Sequence, residues 1–141
     1  MTKKAFSLLE IIFILIVISV ITTIAVSKYA TAITNASLTK IKSDVLQIRA
    51  GIKHTKNKMI LKNSTNILNE LEDSDEMLFN KILENPIISS SQPIAKAWSK
   101  ISIYTYKVYI TNKTFLKFNY DNEKYIFDCD ISNELCKELN L

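Results

Sequence analysis

The sequence predicts an α+β fold in which one long N-terminal helix packs on a small antiparallel β-sheet. Three observations carry this. An apolar run from Phe6 to Val26 passes, without a proline, into an amphipathic stripe that ends at Met59. A polar, acid-rich stretch follows over residues 63–76. From Trp98 onward Tyr, Ile, Val, Thr and Phe predominate, the composition of strands, interrupted by two turn signals.

The first half of the helix is defined by its hydrophobicity. Phe6 to Val26 spans 21 residues with Glu10 as the single charge. At 1.5 Å per residue the run is roughly 31 Å long, about the thickness of a bilayer hydrocarbon core. Lys3 and Lys4 precede it, and basic residues are retained on the cytoplasmic side. The rest of the chain is then expected in the periplasm or outside the cell.

The second half is defined by periodicity. Leu38, Ile41, Val45, Ile48, Ile52, Thr55 and Met59 recur three and four apart, with Lys40, Lys42, Asp44, Gln47, Arg49 and Lys53 on the polar face. Together the halves predict one helix from about Phe6 to near Ile60, roughly 80 Å long at the standard rise. A coiled coil competes for the stripe, but it would have two heptads and no acidic partners.

Beyond the helix, Ser74-Asp75-Glu76 ahead of Met77, Leu78, Phe79, Ile82 and Leu83 predicts a short capped helix closed by Asn85-Pro86. Ser89 to Pro93 reads as a loop. Strands are expected near 101–111, 114–120 and 124–129, turning at Asn112-Lys113 and Asp121-Asn122-Glu123. Tyr104, Tyr106, Val108 and Ile110 share one face, and Ile101, Ile103 and Tyr109 the other. The stripe of the long helix supplies the cover that such a sheet needs.

Composition narrows the function classes. The chain has 141 residues, one glycine (Gly51), two prolines (Pro86, Pro93) and one histidine (His54). Gly-rich phosphate loops and low-complexity classes are thereby excluded. No Ser/His/Asp, Cys/His or paired-carboxylate constellation points to an enzyme. The formal charge is +4, and removing Lys3 and Lys4 leaves about +2, too little to imply a nucleic-acid partner by itself. Arg49, Lys53, Lys56, Lys58 and Lys62 gather around His54. They read either as a patch for DNA phosphates or as the solvated, cation-rich end of a helix.

Two accounts of the N-terminus compete. Ala30-Thr31-Ala32 is a cleavage site of the kind that follows a secretory signal peptide, which would leave a secreted or signal-anchored binding domain. Glu10 opposes this, because a carboxylate costs about 2.5–3.5 kcal/mol at the centre of a membrane helix, and a signal peptide has no use for one. The string Lys3-Lys4-Ala5-Phe6-Ser7-Leu8-Leu9-Glu10, opening an Ile-rich run, resembles the type IV pilin and type II secretion pseudopilin family. Tyr29 also falls where many members carry a tyrosine. The likeness covers residues 1 to about 30. Ala5 stands where glycine is commonest, and Ser19 and Ser27 replace the glycine and proline that loosen the first helix in many pili.

The resemblance implies a pilin-like division: residues 1–5 a leader, 6–26 the transmembrane half of the helix, 27–62 its amphipathic half, and 63–141 a small head with an antiparallel sheet. It implies cleavage between Ala5 and Phe6 by a membrane-embedded prepilin peptidase, with methylation of the new Phe6 amine. Glu10 lies one turn from Phe6 and shares its face. A carboxylate in hydrocarbon needs a cation, a donor or a proton, and the Phe6 amine of a neighbouring subunit can supply the cation. The implied protein is a structural subunit, a pseudopilin or minor pilin, of a filament used for secretion, DNA uptake or adhesion. Its partners would be other pilin or pseudopilin subunits, an inner-membrane platform protein and the inner membrane, with DNA a further candidate.

Cys129 and Cys136 lie close together, and in an exported compartment they read as a disulfide closing a C-terminal loop, as in many type IV pilins. Zinc would need two more N/S ligands, and none is evident. No cofactor is expected, with one candidate set aside. Asp121, Glu123, Asp128 and Asp130 form a calcium candidate by resemblance to the major secretion pseudopilin, unless they merely furnish turns and loop ends.

Overall fold

The computed structural model describes residues 7–64, 67–130 and 132–139. The chain divides into two compact units, one ending at Asn35 and one beginning at Ala36. Helix α1 (Leu8–Leu61) is a single element of 54 residues. Its end is fixed by local chemistry. Asn63 takes a positive φ of 51°, and the Ser64 amide donates back to the Met59 carbonyl at 3.0 Å, closing the last turn.

The second unit is the α+β head. Four strands, β3 (Trp98–Ser102), β4 (Thr105–Tyr109), β5 (Phe115–Asp121) and β6 (Ile126–Cys129), form an antiparallel sheet in the order β3-β4-β5-β6. A two-stranded ladder, β1 (Met77–Leu78) with β2 (Ile87–Ile88), precedes it in the chain. It meets the sheet through the bridge Ser89–Trp98. Ile41, Val45, Ile48 and Ile52 of α1 are fully buried against the sheet's inner residues Tyr106, Val108, Leu116, Phe118 and Phe127. The stripe read from the sequence is therefore the core face of α1. Phe79, Trp98, Tyr106, Phe118 and Phe127 form one aromatic cluster with ring centroids 4.8 to 6.3 Å apart.

Three local expectations are corrected. The strand expected over 101–111 is two strands, folded back at Ile103-Tyr104. Trp98 pairs with Val108 across this hairpin, and both side chains are buried in the core. The turn carries no Gly, Asn or Pro, so turn chemistry gave no signal. The capped helix expected after Ser74 is instead the β1–β2 ladder. Leu78 and Phe79 are consecutive and both fully buried, and Phe79 takes φ 64°, outside the helical region. Asp44, assigned to the polar face of α1, is buried.

Disulfide Cys129–Cys136 joins β6 to a short helix α2 (Glu134–Glu138), with Cα atoms 5.8 Å apart. Asn133 caps α2 by accepting from the Leu135 amide at 3.1 Å. Leu139, just beyond it, is buried in the core. No hydrophobic periodicity marks α2 in residues 134–138.

Candidate functional site

In the N-terminal unit the apolar side chains are outside any core. From Leu8 to Tyr29 every side chain described is exposed, and Glu10 is the single charge between Ser7 and Ser27. This part of α1 is long and apolar enough to cross a membrane. Its hydroxyl groups are satisfied within the helix. Ser19 donates to the Leu15 carbonyl at 2.7 Å, Thr22 to Ile18 at 2.7 Å and Thr23 to Ser19 at 2.9 Å. Such bonding removes the main cost of placing a hydroxyl in hydrocarbon. Glu10 occupies the first turn, where a carboxylate meets the partial positive charge of unpaired amides. Ala5 and Phe6, the expected cleavage and methylation positions, lie outside the described residues. An apolar surface of this size needs hydrocarbon or other helices against it.

Three of the four calcium candidates, Asp121, Asp128 and Asp130, hold protein partners. Asp121 accepts from the Glu123 and Lys124 amides at 3.0 and 2.9 Å, which stitches the β5–β6 turn. The Lys124 amide is the main reason its carboxyl lies below the usual range. Asp128 pairs with the Arg49 guanidinium. Asp130 accepts from the Ser132 hydroxyl at 2.8 Å and from its amide, and the hydroxyl bond chiefly holds its carboxyl low. Glu123 is exposed. The structure does not bring these acids together, and among the described residues no three His, Cys, Asp or Glu side chains converge as a metal cage would.

The basic group on α1 is partly drawn onto the sheet. Arg49 also donates to the Phe127 carbonyl at 2.9 Å, and the Lys56 ammonium sits 4.5 Å from the centroid of the Tyr125 ring. Tyr125 itself holds φ 60°. Lys53 and His54 are exposed, His54 beside a shallow cleft with Gln47, Gly51 and Ile82.

Two buried carboxylates escaped the sequence. Glu72 accepts from the Tyr106 hydroxyl at 2.9 Å, from the Phe79 amide at 3.4 Å and from the Lys100 ammonium at 3.0 Å. Burial disfavours the Lys100 charge, but its bonds to Glu72 and Asp75 outweigh that and raise its pKa above the ordinary value. Asp44 accepts the Trp98 indole N–H at 3.1 Å and pairs with Lys40. These groups hold the head's core in register. They lie in an acid-rich loop and on a helix face patterned as polar, so composition marked them as solvated.

The geometry defines an α+β chain with one N-terminal helix fit to cross a membrane and a disulfide-closed head. No protein-family model, no curated protein and no solved structure matches the chain.

Proposed function

We propose that the chain is a pilin-like subunit, matured by a prepilin peptidase and assembled through its first helix into a filament of the type IV pilus or type II secretion kind. The observation that carries this is the exposed apolar stretch of α1 with the lone acid Glu10 in its first turn, directly after Lys3-Lys4-Ala5-Phe6. Packing against neighbouring helices buries that surface, and the Phe6 amine of the next subunit neutralises Glu10 and sets axial register. Head-to-tail contacts that do not close give a helical filament. The head stays outside the cytoplasm, where the disulfide is retained. As a structural subunit it catalyses nothing and is moved by an inner-membrane platform.

Intact-mass and N-terminal peptide analysis of the chain expressed with a prepilin peptidase tests this. The expected product begins at N-methylated Phe6. A product beginning at Ile33 would instead make residues 1–32 a signal peptide and the head a secreted periplasmic domain.

A further inference from the structure

We infer that the two flanks of the head are complementary halves of one contact between copies of this chain. This deepens the filament function proposed above and rests on it. β6 and β3 are the opposite edges of the four-stranded sheet. On the β6 side, Arg49, Lys53, Lys56 and Lys124 frame a cleft floored by Tyr125, Ile126 and Phe127. Asp128 neutralises Arg49, Asp121 stands 3.5 Å from Lys124, and Glu123 is exposed in the same turn. Lys53 makes no ion pair among the described residues, and Lys56 rests on the Tyr125 ring. Among the described residues two cations are thus uncommitted to any acid, beside an Ile126 that is 42% exposed.

The β3 side has the opposite character. Beyond β3 lies the β1–β2 ladder, where Met77 and Ile88 are register partners and are 52% and 80% exposed. Ile101 on β3 is 51% exposed. Glu76, adjoining Met77, is exposed and unpaired among the described residues, and its carbonyl accepts the Ser89 amide at 2.9 Å, which fixes its place on the ladder. Asp75 is exposed as well, with Lys100 3.2 Å away, and Asp73 is offset by Lys81.

Each flank therefore carries exposed apolar residues rimmed by unneutralised charge, in excess cationic at the β6 edge, where Lys53 and Lys56 outnumber Glu123, and anionic at the β3 edge, where Glu76 stands. An apolar centre with a charged rim is the usual build of a protein interface. The patches differ and face away from each other across the sheet, so joining them is heterologous and can repeat from copy to copy. The occupant of the Lys53/Lys56 cleft is the Glu76–Met77/Ile88 face of a second head, with like-charged faces kept apart by repulsion.

The test uses mature full-length chain expressed with prepilin peptidase and its assembly machinery, as an equal mixture of ¹⁴N- and ¹⁵N-labelled protein. A zero-length carboxyl–amine cross-linker is applied, followed by peptide mass spectrometry. Mixed-isotope peptides joining Lys53 or Lys56 to Glu76 are expected, lost in Glu76→Lys and restored when Glu76→Lys is mixed with Lys53→Glu/Lys56→Glu through the reversed pair. Filaments without that mixed-isotope link would overturn the contact and leave the filament function standing. A processed chain that never assembles would overturn both. Salt-sensitive binding of duplex DNA that Lys53→Glu/Lys56→Glu abolishes, with no cross-link, would assign the cleft to phosphate and overturn the contact.

Discussion

A β-carbon placed on Gly51 would stand 2.5 Å from the carbonyl oxygen of Ile82. The single glycine of the chain thus marks where the segment after β1 presses on α1. Alanine gains about 1 kcal/mol of helix propensity there. The clash is with backbone, which cannot swing aside, and overpacking of this kind costs about 1–3 kcal/mol. Gly51→Ala is expected to lower the melting temperature of the full chain in detergent, and Gly51→Val to lower it further. An unchanged value would mean that the segment yields.

Asp44 and Trp98 are 54 residues apart and buried against each other. Removing the acceptor leaves an indole N–H unsatisfied at a cost of about 1–3 kcal/mol. Chemical denaturation should rank wild type above Asp44→Asn, which keeps an acceptor, and Asp44→Asn above Asp44→Ala. Equal stability of the two variants would show that the bond contributes nothing.

Alkaline pH should undo the head. Burial, then the Glu72 carboxylate, raises the Tyr106 phenol above its ordinary 10.0, and burial raises Tyr120 likewise. Lys100 is raised as well. All three hold their protons more tightly folded than unfolded. Their contribution is therefore complete below about pH 10 and is lost as pH rises through the folded values. Melting temperature should be level from about pH 7 to 9 and fall above 10. Tyr106→Phe should start lower, because Glu72 loses a donor, and fall less steeply.

The disulfide closes a loop of sequence separation 7, which corresponds to about 2.5 kcal/mol of loop-closure entropy. Cys129→Ser/Cys136→Ser should lose about that much. Hydrogen exchange should rise first in α2 and at Leu139, which the bridge holds against the core. Uniform loss of protection across the sheet would instead make the bridge part of the global folding unit.

On the filament function proposed above, Glu10→Val should leave the chain cleaved and methylated yet abolish filaments, since the apolar surface survives while the proposed partner for a neighbour's amine is gone. Removing the acid also relieves an insertion cost of up to about 3 kcal/mol, so membrane retention should not fall. Normal filament yield from this variant would sink the assembly role of Glu10.

The long helix, its apolar first half, the buried stripe from Ile41 to Ile52 and strands near β5 and β6 were all legible in the order of residues. Those features are written in periods of a few residues and in turn signals between neighbours, so local reading suffices. The nearness of Cys129 and Cys136 in the chain likewise anticipated their bridge. Tertiary structure alone decided that Asp44 and Glu72 are interior, that Phe79 leaves helical geometry, and that residues 98–109 fold back on themselves. The two buried acids depend on partners far along the chain: Trp98 for Asp44, Tyr106 and Lys100 for Glu72. A charge costs heavily to bury without such a partner, and no local pattern announces that one will arrive.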